Sequence, residues 1–202
     1  MNKQNMCVLE LLRIEDKTGH KTIEGQVRIQ NMMYVASKTH PELDYGFEPH
    51  KYGMYSKTLK NILIDLNEKG LVCIDKSNER NQPIHLTTKG LEESERVSKR
   101  IDSRIQESLR IIKSTLNTLR YDEFVVLMYT KYPEMLEKSE QKNEYEKWRE
   151  NTAISMVQDD QVSFLLGFRM SGLSLEVFGT KIYGTNNSDS LQNSAIYADL
   201  GS

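Results

Sequence analysis

Apolar residues recur at helical spacing along the first 70 residues and predict three helices. These helices cover residues 6–14, 27–37 and 56–69. In the third, the apolar residues follow the pattern i, i+3, i+4, i+7 and are Leu59, Ile62, Leu63 and Leu66. Ser56 is a suitable N-cap for this helix, and Gly70 lies where a helix commonly ends in a left-handed residue.

Two short apolar runs follow the third helix. Residues 71–74 and 84–87 are predicted to form strands, and the polar residues between them predict a turn. Three helices followed by a two-stranded hairpin is the order of a winged helix. We therefore expect residues 1–90 to form a winged-helix domain.

A long apolar stripe comes next and predicts a single helix of about 30 residues, roughly 45 Å in length. Its members are Val97, Ile101, Ile105, Leu109, Ile112, Leu116 and Leu119. One small domain cannot cover such a stripe. It is therefore expected to pack on the C-terminal part, on a second subunit or on both. Residues 91–120 are thus predicted to be a connecting and dimerisation helix in a homodimer.

The C-terminal part carries a second pattern, over residues 161–183. Ser163 is a candidate N-cap, Gly172 is placed to end the first helix, and Ser174 is placed to cap the next. Two short helices joined by such a turn form a helix-turn-helix. We expect residues 121–184 to be a helical domain with this motif and residues 185–202 to be a flexible polar tail. The predicted fold is mainly α.

Composition and charge narrow the range of functions that the sequence predicts. The 202 residues include 27 Lys and Arg against 29 Asp and Glu, and no apolar run approaches the ~20 residues that cross a bilayer. A cytoplasmic protein without a membrane partner is expected. The two cysteines and four histidines lack ligand spacing, so no metal and no cofactor is predicted. No phosphate loop, GxSxG or HExxH motif occurs, which argues against an enzyme.

The predicted winged helix has the better electrostatics for DNA. Between residues 50 and 90, seven Lys and Arg face four Asp and Glu. Lysines contact phosphates, and asparagine pairs with adenine. The candidate contacts on the third helix and the hairpin are Lys57, Lys60, Asn61, Lys76, Asn78, Arg80 and Asn81. The alternative is a solvated helix face with a hairpin that only completes the fold.

The C-terminal motif offers fewer cations. Over residues 144–183, four Lys and Arg stand against six Asp and Glu. Arg169, Ser174 and Lys181 are candidate DNA contacts there. The alternatives are a helix pair in the core and a protein-binding surface.

Two segments resemble known prokaryotic families. Residues 47–72 contain His50-Lys51-Tyr52-Gly53-Met54-Tyr55-Ser56 and then Gly70-Leu71-Val72. They resemble the YwgA-like and Panacea-type (antitoxin-associated) winged-helix families, whose loop has a proline where Met54 stands. Residues 151–182, with Val162-Ser163-Phe164 and Gly172-Leu173-Ser174, are similar to small prokaryotic helix-turn-helix antitoxins. The resemblances imply a regulatory or antitoxin-like role.

The sequence thus favours a DNA-binding transcriptional regulator of prokaryotic type, acting on double-stranded DNA as a homodimer. The competing hypothesis is an antitoxin-like module that binds and neutralises a partner protein, since the net charge is near neutral. A structural scaffold without a ligand is a third alternative.

Overall fold

Helices account for most of the described chain, and the predicted mainly α class is confirmed. The computed structural model describes residues 1–77 and 82–149. Its helices include α1 (Lys3–Arg13), α2 (Gln26–Thr39), α3 (Lys57–Glu68), α4 (Thr88–Ser98), α5 (Ser103–Leu116) and α6 (Tyr121–Lys131), and residues 142–149 are also helical. Short 3₁₀ turns cover Pro41–Leu43 and Pro133–Leu136. The residues fall into two compact units, Met1–Glu146 and Lys147–Ser202, and the labelled elements lie in the first.

Two small antiparallel sheets accompany the helices. The strands are β1 (Ile23–Glu24), β2 (Glu48–His50), β3 (Gly53–Tyr55), β4 (Val72–Ile74) and β5 (Pro83–Leu86). One sheet has the order β1-β5-β4, with Ile23 opposite Ile84 and Val72 opposite Leu86. The other is the β2–β3 hairpin. The pair β4 and β5 confirms the predicted hairpin, whereas β1 is too short for any periodicity to reveal.

Helix α1 lies at the centre of the core. Its apolar residues from Cys7 to Leu12 have no exposed surface, and it packs against α4, α5 and β5. Helix α2 packs against α5 and β3. The segment after β5 is therefore part of the same compact unit as the first three helices.

The structure has two helices where the apolar stripe predicts a single long one. The chain turns at Lys99–Asp102, and Asp102 caps α5 by accepting a hydrogen bond from the Arg104 amide at 2.8 Å. The side-chain amide of Gln106 also donates to the carbonyl of Ser98, the last residue of α4, and to the carbonyl of Ile101 in the turn. The expectation of one connecting helix is wrong. The helix breaks between Ser98 and Ser103, where these side chains form hydrogen bonds with backbone groups at the break.

The apolar stripe itself is covered within the chain. Val97, Ile105, Leu109 and Ile112 are at most 2% exposed, beneath α1 and α2. The stripe was the reason to expect a homodimer through residues 91–120. Since it is already buried, it leaves no apolar seam for a second subunit there.

Two buried cations close helix ends in this core. Lys113 Nζ donates to the carbonyl of Leu11 in the last turn of α1 at 2.9 Å and to the carbonyl of Lys21 in the following loop at 2.6 Å. The Arg28 guanidinium donates to the carbonyl of Leu116, the last residue of α5, and to the carbonyl of Leu119 just after it. Terminal carbonyls have no partner within their own helix, so these cations supply one.

Candidate nucleic-acid interface

A buried polar network fixes the start of α3. Ser56 Oγ accepts from the Leu59 amide at 3.0 Å and donates to the Tyr45 carbonyl at 2.5 Å. The backbone of Ser56 exchanges two hydrogen bonds with the side chain of Gln30 on α2, at 2.8 and 3.1 Å. All these buried polar groups have hydrogen-bond partners, so the orientation of α3 relative to α2 is fixed.

Helix α3 has a buried face and a solvent face. Leu59, Ile62, Leu63 and Leu66 point into the core. The opposite side carries Lys57, Lys60 and Asn61, and all three are exposed. The expectation that this helix presents lysines to solvent is confirmed.

A shallow groove runs between α3 and β4. Asn67 Oδ1 accepts from the Ile74 amide at 3.3 Å, which ties the end of α3 to the edge of the sheet. The groove has a volume of about 270 Å³. Its lining combines apolar, amide and charged side chains, namely Gln26, Lys60, Leu63, Ile64, Asn67, Glu68, Ile74 and Lys76.

The cations of this region differ in their partners. Lys69 pairs with Asp65 at 2.6 Å, and Lys89 donates to the Lys69 carbonyl at 2.9 Å. Lys57, Lys60 and Lys76 make no ion pair within residues 1–77 and 82–149. An unpaired ammonium group needs no rearrangement before it meets a phosphate. Among the described residues of this face, these three lysines are therefore available to an anion.

The structure brings together only part of the predicted site. Lys60 and Lys76 line the same groove, although 16 positions separate them in the chain. Lys57 and Asn61 lie on the exposed face of α3, outside the groove lining. The remaining predicted contacts lie outside the described residues; they are Asn78, Arg80, Asn81, Arg169, Ser174 and Lys181, the last three in the predicted C-terminal helix-turn-helix.

Sequence reasoning missed the apolar and amide side of the groove. Ile64 is 42% exposed, on a helix whose other apolar residues are buried. An isoleucine outside the apolar stripe of a strongly amphipathic helix is the signal that could have found it. Gln26 and Ile74 carry no such signal, because only the fold places them beside α3.

One buried pair has the residue types of a nucleophilic site. His40 Nε2 lies 2.8 Å from Ser108 Oγ. Both residues are buried, and Ser108 Oγ also lies 2.9 Å from the Arg104 carbonyl, one helical turn earlier. Burial lowers the pKa of His40. The pair links the end of α2 to α5, and its burial denies a substrate access to it.

The described residues contain neither a metal-binding cluster nor a membrane-spanning helix. Within residues 1–77 and 82–149, no group of three His, Cys, Asp or Glu side chains is arranged to hold a metal ion. In the same residues, no helix has the length and apolar character needed to span a membrane.

Comparison with known proteins gives a partial likeness. No protein-family model matches this chain, so the resemblances to YwgA-like, Panacea-type and antitoxin families stay predictions. Two proteins named DNA ADP-ribosyl glycohydrolase, from Mycobacterium bovis and Mycobacterium tuberculosis, are 31% identical to it over 108 residues. The match covers 49% of this chain but only 30% of the length of each relative.

This likeness corrects the functional prediction. The relatives are named for an action on ADP-ribose carried by DNA, not for transcription regulation or for neutralising a toxin. The prediction of a transcriptional regulator, with an antitoxin-like module as its alternative, is therefore wrong. The prediction of no enzymatic activity also conflicts with the relatives' name. About half of this chain is similar to part of a DNA-acting glycohydrolase.

Proposed function

We propose that this chain binds double-stranded DNA and that this binding contributes to the removal of ADP-ribose from DNA. The observation that carries the proposal is the exposed surface of α3 and of the segment that follows β4, where Lys57, Lys60 and Lys76 have no ion pair among the described residues. Lys60 and Lys76 line a groove at the edge of a small sheet. The relatives' name supplies the reaction to which such a surface would contribute.

The order of elements supports a DNA-binding interpretation of α3. Strand β1 lies between α1 and α2, the β2–β3 hairpin lies between α2 and α3, and the antiparallel pair β4 and β5 follows α3. Apart from the β2–β3 hairpin, this order resembles that of a winged helix, in which the third helix is the recognition helix of a helix-turn-helix pair and enters the major groove. Lys57 and Asn61 would then face the duplex from one side of α3.

The charge balance supports moderate affinity. Each lysine that meets a phosphate releases condensed counterions, so affinity falls as salt rises. Three such contacts predict a slope of about −2.7 in a plot of log affinity against log salt. The acidic net charge of −2 favours a contact confined to this face over general adhesion to DNA.

The same face supports binding better than bond cleavage. Most glycoside hydrolases place two carboxyl groups on either side of the bond that breaks. Among the groove residues that the structure describes, Glu68 is the one carboxylate. We infer that these residues position ADP-ribosylated DNA. The monomer suffices for this role, because its apolar stripe is buried within the chain.

Salt-titrated binding to a labelled duplex tests the proposal. We expect Lys60→Gln and Lys76→Gln each to weaken binding about three- to tenfold and to reduce the salt slope by about one. Lys99→Gln is the matched control, since Lys99 is exposed at the end of α4 and does not line the groove. It should bind as the wild type does.

Two results would contradict the proposal. One is the absence of salt-sensitive duplex binding by the folded wild-type chain. The other is equal loss of affinity in Lys60→Gln and Lys99→Gln. Release of free ADP-ribose from an ADP-ribosylated duplex by the chain alone would overturn the binding role and assign it the cleavage step.

A further inference from the structure

We propose that the groove between α3 and β4 holds the ADP-ribosyl group of modified DNA, so that the chain distinguishes modified from unmodified duplex. The inference rests on the proposed function, because α3 must first contact DNA. It goes further in assigning a second ligand to the groove, which Lys60 and Lys76 bind in place of backbone phosphates when the duplex is modified.

The apolar part of the groove lining does not suit a bare backbone phosphate. This part, called the floor below, consists of Leu63, Ile64 and Ile74. A phosphate gains nothing from apolar surface, whereas the faces of adenine and ribose do. The volume of about 270 Å³ lies just below the usual range of about 300–1,000 Å³ for small-molecule sites. It accommodates a group of nucleotide size and leaves the rest of an ADP-ribosyl chain outside.

The charged residues of the groove match a diphosphate. Lys60 and Lys76 both line it, and neither has an ion-pair partner among the described residues. A diphosphate carries adjacent negative charges, which two ammonium groups neutralise more fully than one. Glu68, on the same lining, repels phosphate but accepts hydrogen bonds from ribose hydroxyl groups, as acidic residues do in dinucleotide sites.

The two amides of the groove each retain one unused polar group. Asn67 Oδ1 is occupied by the Ile74 amide, which leaves its Nδ2 to donate. Gln26 Nε2 donates to Gln82 Oε1 at 3.1 Å, which leaves its Oε1 to accept. One donor and one acceptor at an apolar floor suit the edge of a base or the hydroxyl groups of a ribose.

The test compares duplexes with and without one ADP-ribosylated base, using the full chain. We expect the wild type to bind the modified duplex at least about tenfold more tightly. Free ADP-ribose should reduce binding of the modified duplex to the level of the unmodified duplex under the same conditions, and inorganic phosphate should not. Ile64→Ser should keep the affinity for unmodified duplex within about twofold and lose the preference, because it removes part of the floor.

A matched control uses an aromatic residue with similar exposure. Tyr52 is 44% exposed and lies outside the groove, so Tyr52→Ser should keep the preference. Equal binding of both duplexes by the wild type would overturn this inference and leave the DNA-binding proposal standing. A preference that survives Ile64→Ser would also overturn it. Loss of all duplex binding in the wild type would remove the proposed function and this inference together.

Discussion

At the scale of the residue, Lys113 shows how one side chain joins distant parts of the core. Its ammonium group has no exposed surface and donates to three carbonyls, those of Leu11, Leu12 and Lys21. Burial lowers the pKa of Lys113 to about 7, against an ordinary value of 10.5. Asp16, nearby, is held by Asn117 and Thr18. The lysine therefore binds the end of α1, the following loop and α5 into one body.

The pH dependence of the free energy of unfolding, compared between the wild type and a Lys113 variant, tests this role. Because the folded-state pKa lies below that of the unfolded chain, the unfolded state holds more protons between about pH 7 and pH 10.5. The wild type should therefore gain stability relative to Lys113→Met as pH rises through that window. At pH 7 we expect Lys113→Met to cost about 1–3 kcal/mol, since it orphans buried carbonyls.

Urea unfolding at several pH values measures the difference between the two proteins. Lys99→Met removes an exposed cation and should leave the curve of stability against pH unchanged. A constant gap between Lys113→Met and the wild type from pH 7 to pH 10.5 would show that the buried amine does not titrate there.

At the scale of the element, close approach between β4 and α4 holds the sheet against the helices. Gly90, in the first turn of α4, lies so near Leu71 that a Cβ at this position would sit 1.8 Å from the Leu71 carbonyl oxygen. Thr87 caps α4 by accepting from the Gly90 amide and also donates to the Gly70 carbonyl. The groove depends on this contact, because Leu71 leads directly into β4.

Gly90→Ala should separate α4 from β4. The clash is with backbone, which has no flexible side chain to move, so we expect a loss of more than about 3 kcal/mol. Thermal or urea unfolding measures the loss. Glu92→Ala, two residues along the same helix at an exposed position, is the control and should change stability by less than about 0.5 kcal/mol. Equal stability of Gly90→Ala and wild type would contradict the close approach.

At the scale of the whole molecule, the features used in both proposals lie in the unit Met1–Glu146. Lys57, Lys60 and Lys76 belong to it, and so do the core helices that support α3. The predicted C-terminal helix-turn-helix, with Arg169, Ser174 and Lys181, lies outside the described residues. The proposals therefore assign the DNA contact to the first unit.

Truncation tests this assignment. A chain that ends at residue 149 should unfold cooperatively and bind duplex DNA within about twofold of the full chain, because it retains the three unpaired lysines. Circular dichroism checks its folding, and anisotropy with a labelled duplex checks its binding. A folded truncated chain that has lost most of its affinity would place the main DNA contact after residue 149.

Local features of the sequence determined the helices and several of their ends. The period of Leu59, Ile62, Leu63 and Leu66 defines the buried face of α3 and thereby its lysine-bearing face. Ser56 and Gly70 mark the ends of that helix, since capping and positive φ depend on neighbouring backbone alone. Such features need no distant residue, so they are readable from the printed chain.

The tertiary structure alone decided the break at Lys99–Asp102 and the groove. The spacing of an apolar stripe is the same whether the stripe is buried within its own chain or against a second subunit. Only the packing against α1 and α2 shows that this stripe is buried within the chain. Lys60 lies on α3, Lys76 follows β4, and Gln26 is the first residue of α2. Their meeting depends on sheet pairing and helix packing, which are contacts between residues far apart in the chain.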